Sequence, residues 1–206
     1  MVSRRRQAVR ICYLGNSASI HTVRWAKYFS DHGDDVIVIS FQFGKIEGVN
    51  LICLSSASTL SRWHIIRFIP KVRSLVKDIK PDILHAHYAT SYGLAGALAN
   101  KHPLVVTAWG SDVLIMPEKS LLYRHLVRFV MKRADLVTSM AEHMTQHLIL
   151  RNYVTPAKLI TLPFGVDTGI FNLNQRTRWH GEGDPIVIST RRLDYGLDVD
   201  IFVKAI

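Results

Sequence analysis

Cysteine is scarce and long apolar runs are absent from this 206-residue sequence. The two cysteines, Cys12 and Cys53, each lie in an apolar, strand-like segment, as buried free thiols do. Two cysteines cannot build a disulfide framework or a four-cysteine metal site, so we expect a reducing, cytoplasmic compartment. No stretch of about 18 apolar residues occurs, and no apolar segment follows the arginine-rich start, so the sequence predicts neither a membrane span nor a signal peptide.

Acidic residues are also few. The chain has 16 Asp and Glu against 26 Lys and Arg, which gives a formal charge of +10. This charge favours anionic partners, namely lipid headgroups, nucleic acid or phosphorylated small molecules. No nucleic-acid-binding motif accompanies it, so we expect no nucleic-acid partner. Apolar residues make up 48% and charged residues 20%, a globular balance that excludes wholesale disorder.

Strand-like and helix-like segments alternate along the chain. Strands are predicted at 9–14, 35–39, 50–54, 82–87, 104–108, 135–139 and 159–162. Helices are predicted to begin near residue 21, to cover 60–77, 91–100 and 120–133, and to end near 151, with a loop at 109–117. Strands separated by single helices indicate an α/β fold with a mostly parallel sheet flanked by helices.

The rhythm changes after residue 171. Residues 172–185 are rich in Asn, Arg, Gly and Pro and are interpreted as a linker. A strand at 186–190 and part of a helix at 199–206 follow, and a lone unit of this kind cannot bury its own apolar face. We therefore expect one domain over 1–171 and the start of a second over 186–206, as the front part of a longer protein.

Ligands of open parallel sheets bind in the loops that follow the strands. Gly15, Asn16 and Ser17 open the first such loop, and free amides at the start of the next helix are able to receive a phosphate. The alternative is a turn with a serine N-cap. The loop has one glycine rather than three, so it is not a dinucleotide-binding fingerprint.

Two histidines mark the end of the fourth predicted strand. Because side chains alternate along a strand, we expect His85 and His87 to point to opposite faces, with His87 lining the site. The alternative for each is a hydrogen-bonded interior histidine. No further ligand cluster is visible, so a tetrahedral metal site is not predicted.

The loop after the fifth strand carries four candidate residues. Gly110 lets the backbone approach a ligand, Trp109 offers a flat face to a sugar, and Ser111 and Asp112 offer polar groups to hydroxyls. The alternative is a turn capped by Asp112.

Basic residues are concentrated in the second predicted helix. Between residues 62 and 80 there are six basic residues and one acidic residue. Arg62, Trp63, Arg67, Lys71 and Arg73 suit contact with an anionic membrane surface. The alternative is a solvated outer face of a helix that packs on the sheet.

Six segments together resemble GT-B glycosyltransferases of family 4, in the family's order. They lie at residues 14–25, 81–87, 106–112, 134–137, 163–171 and 188–193. The resemblance implies a Rossmann-like acceptor-side domain and a retaining sugar transferase with a nucleotide-sugar donor, no cofactor and no essential metal. The basic helix favours an enzyme that works at the cytoplasmic face of a membrane, on a lipid-linked or polysaccharide acceptor.

The resemblance also implies roles for particular residues. Gly15, with Asn16 and Ser17, approaches the donor diphosphate, Trp109 and Gly110 lie beside the transferring sugar, and Arg192 stabilises the leaving diphosphate. The link between the two domains includes Gly165, Val166 and Asp167.

Several positions depart from the family pattern. Trp109 stands where many members have His, Arg191 replaces a glycine, and the family's lysine is missing near Leu197 and Asp198. The family's paired glutamates lie beyond Ile206, so we expect this chain alone to have little transferase activity. Two alternatives stay open: another GT-B enzyme such as a nucleotide-sugar epimerase, and a non-catalytic module that binds glycans or anionic surfaces.

Overall fold

A computed structural model describes residues 7–56, 62–172 and 199–205. The chain divides into two compact units, Met1–Phe164 and Gly165–Ile206. The predicted strand at 186–190, Arg192 and most of the predicted linker lie outside the described residues. The boundaries 1–171, 172–185 and 186–206 therefore stay predictions.

The first unit is built on one parallel sheet. Its seven strands have the order β3-β2-β1-β4-β5-β6-β7. They are β1 (Arg10–Leu14), β2 (Asp35–Ser40), β3 (Asn50–Cys53), β4 (Ile83–His87), β5 (Leu104–Thr107), β6 (Leu136–Ser139) and β7 (Leu159–Thr161). Because the chain builds outwards from β1 in one direction and then from β4 in the other, the strand order reverses between β1 and β4, which is where ligands of such sheets bind.

Helices connect the strands. They are α1 (Ile20–Asp31), α2 (Arg62–Ile79), α3 (Gly93–Ala99), α4 (Met116–Lys119), α5 (Leu121–Arg133) and α6 (Glu142–Leu150). Two π-helical segments, Tyr88–Tyr92 and Ser111–Ile115, follow β4 and β5, and a 3-10 turn, Pro156–Lys158, precedes β7. The predicted loop at 109–117 is wrong from Ser111 onwards, because the chain there already forms helical turns that run into α4.

Apolar clusters lie on both faces of the sheet. One contains Leu84 and Val106 with Val72 and Val76 of α2, and the other contains Tyr13 with Ala26 of α1. Burial of these side chains is the main force that holds helices to a sheet.

The outer face of α2 is solvated. Arg67, Lys71 and Arg73 are exposed, while the side chains of Arg62 and Trp63 lie outside the described part. Both interpretations of this helix place its basic residues outside, so surface contact with lipid stays a prediction. Within the described residues no helix has the length and apolar character needed to cross a bilayer.

Carboxylates fix the amino-terminal end of the sheet. Asp34 Oδ1 accepts a hydrogen bond from Val9 N at 3.0 Å, and Asp82 Oδ2 accepts one from Arg10 N at 2.7 Å. These contacts tie the start of β1 to the segments that begin β2 and β4.

The second unit contains a turn and a helix. Asp167 Oδ1 accepts hydrogen bonds from Gly169 N at 2.9 Å and Ile170 N at 3.3 Å, which closes the turn. Gly165 and Val166 are exposed, as is Asp167. Helix α7 covers Val199–Lys204.

Candidate functional site

A cavity of about 340 Å³ lies at the carboxyl-terminal ends of β1, β2, β4 and β5, at the reversal of strand order. Its lining comes from the end of β4, from segments that follow β1, β2, β4 and β5, and from α1 and α2. The lining residues are Asn16, Ser19, Thr22, Phe41, Gln42, Ile65, His87, Tyr88, Ser91, Tyr92 and Trp109. None of them is Asp, Glu, Lys or Arg, so the described lining is polar and aromatic without formal charge.

His87 is the buried histidine of this cavity. Its side chain is 2% exposed, and Nδ1 lies 3.2 Å from the Thr22 hydroxyl oxygen. Nε2 is buried and has no hydrogen-bond partner. Burial, then the neighbouring His85 and His21, hold the pKa of His87 well below its usual value, so the ring is neutral.

The expectation that His85 and His87 point to opposite faces is wrong. Their ring centroids lie 4.8 Å apart, and both rings pack on Tyr13 and Trp25. Side chains alternate with a period of two residues, so positions two apart share a face, and Ala86 takes the other face.

His85 is the interior histidine that the alternative described. Its Nε2 lies 2.7 Å from the Thr107 hydroxyl, which lies 2.8 Å from the Thr138 hydroxyl, so one polar chain crosses β4, β5 and β6. Burial lowers the pKa of His85 to about 3. A neutral ring therefore lies inside the sheet layer.

Trp109 lines the same cavity as His87 and lies beside it. The two ring centroids are 5.2 Å apart, and Trp109 Nε1 is buried without a hydrogen-bond partner. His21 of α1 packs on Trp109 at 4.4 Å and stacks on Phe164 at 4.5 Å, and its buried Nδ1 also has no partner. An imidazole from α1 thus stands beside the tryptophan that replaces the family's histidine.

Gly15 is required by packing. A Cβ there would lie 2.8 Å from Thr22 Oγ1, so a side chain would push Thr22 and α1 out of place, and it would touch His87 Nδ1 at an ordinary contact distance of 3.4 Å. Gly15 N donates to Ile39 O at 3.2 Å. The glycine therefore lets α1 approach the sheet, and its approach to a donor diphosphate stays a prediction.

Asn16 and Ser17 occupy different environments. Asn16 lines the cavity, and its Oδ1 accepts a hydrogen bond from Ala18 N at 2.9 Å. Ser17 is buried beneath the surface, where its Oγ lies 3.1 Å from Ser40 Oγ and donates to Gln42 O at 3.2 Å. Ser17 thus joins the loops after β1 and β2.

The helix that follows this loop has an unusual start. Ser19 is the N-cap residue of α1, but its side chain makes no capping hydrogen bond. The amides of Ser17, Ala18 and Ser19 donate to Ser40 Oγ, Asn16 Oδ1 and Asn16 O. An anion at this point would use the amides of the first helical turn, which α-helices leave without an internal partner.

Asp112 supports the site from the protein interior, through hydrogen bonds to the backbone. It is fully buried, and its carboxylate accepts hydrogen bonds from Trp109 N at 3.0 Å and Ala89 N at 2.6 Å. Burial raises its pKa, and the backbone hydrogen bonds oppose that effect. This geometry is the Asp-capped turn of the alternative, and it ties the segment after β5 to the one after β4.

Gly110 and Ser111 complete this turn. Gly110 has φ of +111°, a conformation that favours glycine. Ser111 is exposed, and its hydroxyl lies 2.9 Å from the Tyr88 hydroxyl, so it reaches the cavity through Tyr88.

Several lining residues lie outside the site predicted from the sequence. Phe41 and Gln42 follow β2, and Tyr92 stacks on Phe41 with centroids 4.3 Å apart. The loop after β2 also follows a strand of the parallel sheet, and that position is the sequence signal that points to it.

The chain shows clear relationships to known proteins. A family model described as glycosyl transferase 4-like matches residues 10–141. This chain belongs to that family. The resemblance to family 4 glycosyltransferases is therefore confirmed, and no curated protein matches the chain by sequence.

Solved structures confirm the fold class. A sucrose-phosphate synthase from Thermosynechococcus elongatus aligns with a TM-score of 0.58 and 13% identity, covering 76% of this chain and 90% of that one. HepE of Anabaena, solved with UDP and glucose, aligns with a TM-score of 0.60 and 17% identity, covering 78% of this chain and 46% of that one. A UDP-N-acetylglucosamine 2-epimerase from Rickettsia bellii aligns with a TM-score of 0.55 and 14% identity, covering 74% of this chain and 44% of that one.

This glycosyl transferase 4-like chain corresponds to only part of the length of these GT-B proteins. It spans about half the length of HepE and of the epimerase.

Proposed function

We propose that this chain is the acceptor-side part of a retaining glycosyltransferase, which moves a sugar from a nucleotide-sugar donor to a hydroxyl group of a lipid-linked or polysaccharide acceptor. One observation carries the proposal: the uncharged, aromatic-walled cavity at the switch point contains the buried His87 Nε2, which has no hydrogen-bond partner. Family membership supports the reaction class. We place the activity in the cytoplasm at a membrane face, because the exposed basic residues of α2 suit anionic lipid.

A sugar ring suits this cavity for two physical reasons. Its apolar face packs on aromatic side chains such as Trp109 and Tyr92, and its hydroxyls hydrogen-bond to buried nitrogens. Trp109 Nε1 only donates, so its partner is an oxygen that accepts a hydrogen bond. Because His87 is neutral, the ligand group here is an uncharged hydroxyl rather than a phosphate.

The donor diphosphate is proposed to lie at the start of α1, beside Asn16. Amides of a first helical turn and the helix dipole both favour an anion. Gly15 and Ser17 act by shaping this loop, since their own amides are bonded within the protein. Arg192 is the proposed partner of the leaving diphosphate, where a fixed cation lowers the barrier.

An epimerase is the competing enzyme class, since the epimerase from Rickettsia bellii shares the fold. An epimerase needs its own acid and base groups in the cleft. The described lining of the cavity contains no carboxylate and no lysine, and burial holds the pKa of its histidine, His87, well below the usual value, so the lining favours transfer to a hydroxyl.

Binding of neutral glycans to the full chain tests the acceptor site. Calorimetric titration with a panel of neutral mono- and disaccharides is expected to detect binding that weakens about 10-fold in His87→Phe and in Trp109→Phe, because each keeps an aromatic ring but loses one buried hydrogen bond. His143→Phe, an exposed change on α6, is the matched control. Unchanged affinity in both cavity variants would contradict the proposed site.

A transfer assay tests the reaction class. With a nucleotide-sugar and a bound acceptor, we expect little turnover by this chain alone, and transfer with retention once a donor-binding half is supplied. Epimer interconversion of the nucleotide-sugar in the same assay would refute the transferase proposal.

A further inference from the structure

We propose that a second site, at the opposite end of the sheet, binds closely spaced phosphate groups. A cleft of about 470 Å³ lies between the carboxyl-terminal ends of α2 and α3, which lead into β4 and β5. Its lining residues are Arg73, Val76, Lys77, Lys80, Ala99, Asn100 and Lys101, and we call it the basic cleft. The proposal does not depend on sugar transfer.

The four cations come from separate parts of the backbone. Arg73 and Lys77 lie on α2, Lys80 follows that helix, and Lys101 follows α3. Lys80 and Asn100 have positive φ angles of +50° and +57°, so the backbone turns sharply after α2 and after α3. The fold thus brings together charges that are up to 28 positions apart in sequence (101 − 73).

These cations lack acidic partners. Within the part of the chain that the structure describes, none of the four forms an ion pair, and no carboxylate lines the cleft. Arg133 adds positive charge beside it, since its guanidinium donates to Asn100 Oδ1. Like charges placed together repel each other, and a bound anion removes that repulsion.

Helix capping explains only part of this charge. Each helix carboxyl terminus carries roughly half an elementary negative charge, so the ends of α2 and α3 balance about one cation. About three positive charges remain in the basic cleft without a counter-charge. A single carboxylate ligand would leave most of them unbalanced, whereas two adjacent phosphates match them.

Phosphate is the anion that this arrangement suits. Lysine binds phosphate as a compact point charge, and arginine binds two of its oxygens at once. Two buried apolar residues, Val76 and Ala99, also line the cleft, while Arg73, Lys77 and Lys80 are exposed and accessible to an anion from solution. The phosphates belong either to a lipid headgroup or to a soluble compound such as pyrophosphate.

The test uses the full chain and two probes. Pyrophosphate binding is measured by calorimetry at low salt, and sedimentation is measured with phosphatidylcholine vesicles that contain phosphatidic acid. The double variant Lys77→Gln/Lys101→Gln removes two cleft charges. The control Lys45→Gln/Lys119→Gln removes two exposed charges elsewhere, so net charge is matched.

We expect the cleft variant to bind about 30-fold more weakly, because each basic residue near a phosphate-bearing surface contributes about 1 kcal/mol and two are removed. The affinity of the control variant is expected to change less than about 3-fold. A loss confined to vesicles identifies a lipid headgroup, and a loss that includes pyrophosphate identifies the phosphates themselves. Either result supports the site. Equal losses in the two double variants, or no binding by the unmodified chain to either probe, would overturn it. Thermal unfolding of each variant checks that folding is unchanged.

Discussion

At the amino-terminal end of the sheet, carboxylates and exposed ion pairs hold neighbouring strands, whereas at the carboxyl-terminal end the segments around the cavity are held by buried hydrogen bonds. Arg10 Nε lies 2.6 Å from Asp35 Oδ2, and both side chains are about half exposed. Asp135 Oδ2 accepts a hydrogen bond from Leu104 N at 2.7 Å and lies 2.6 Å from His102 Nδ1. Water is able to replace most of these partners.

At the carboxyl-terminal end, the buried polar groups are out of reach of water, so water does not replace their partners. The hydroxyls of Thr107 and Thr138 and the His85 ring bond to each other inside the sheet, while His87 Nε2 and Trp109 Nε1 are left without partners. A buried polar group without a partner costs about 1–3 kcal/mol. Among the described residues, six buried side-chain atoms have no hydrogen-bond partner, and three of them, on His21, His87 and Trp109, lie together where the ligand is proposed to bind. The other three are on Arg124, His147 and Tyr153.

The largest test of this contrast compares two aspartates. Asp112→Ala leaves the buried amides of Ala89 and Trp109 without an acceptor, so we expect a loss of about 2–6 kcal/mol in the free energy of unfolding. Asp82→Ala frees only the amide of Arg10 at an exposed position, and we expect about 0.5–1.5 kcal/mol. Urea unfolding measures both, and similar losses would remove the contrast.

The second test is the pH dependence of stability. The ordinary pKa of His85 is 6.5 and burial lowers it to about 3, so between these values the unfolded chain binds a proton that the folded chain does not. Stability therefore falls as pH falls below about 6.5, by about 1.4 kcal/mol per pH unit for each such histidine. Urea midpoints between pH 7.5 and 5 measure this slope.

One control variant, and the titration of Asp135, help to assign that slope to His85. In His85→Gln the slope is expected to decrease, because the titrating ring is gone. At Asp135, partial burial raises the pKa, but hydrogen bonds from Leu104 N and His102 outweigh it and lower the pKa below the ordinary value of 3.8. The stability that Asp135 contributes is therefore lost only in more acidic solution. An unchanged slope in His85→Gln would contradict the assignment.

A third test compares two glycines. In Gly15→Ala the new Cβ meets Thr22 at 2.8 Å, and we expect a loss of about 1–3 kcal/mol together with weaker glycan binding, since Thr22 lines the cavity and contacts His87 Nδ1. Gly33 has φ of +87° and open space around it, so Gly33→Ala costs about 1 kcal/mol of backbone strain without any effect on binding. Thermal unfolding and the glycan titration together separate the two, and normal binding by Gly15→Ala would weaken the link to the site.

The smallest expected effect is at the exposed ion pair. Arg10→Gln is predicted to cost about 0.2–1 kcal/mol, and raised salt is expected to diminish the difference from the unmodified chain. Urea unfolding at two salt concentrations measures it. A loss comparable to that of Asp112→Ala would show that the amino-terminal end is not held by screened contacts.

Much of the fold was accessible from local patterns. The alternation of apolar strands and helices predicted the parallel sheet, and the loops that contain Asn16, His87 and Trp109 converge on one cavity. The error over His85 and His87 was also local, since strand periodicity by itself places residues two apart on one face. The helical turns after β5 were missed because buried Asp112 stabilises them through Ala89, a residue 23 positions away.

The sequence by itself determined the layer architecture, because hydrophobic periodicity depends only on neighbouring residues. Only the tertiary structure decided that Asp112 supports the site from below, that Ser17 is buried under the loop after β2, and that His21 stands against Trp109. The same holds for the basic cleft, whose lysines meet only when α2 and α3 end side by side. Contacts between distant residues depend on which strands and helices become neighbours, and that is settled by packing of the whole unit.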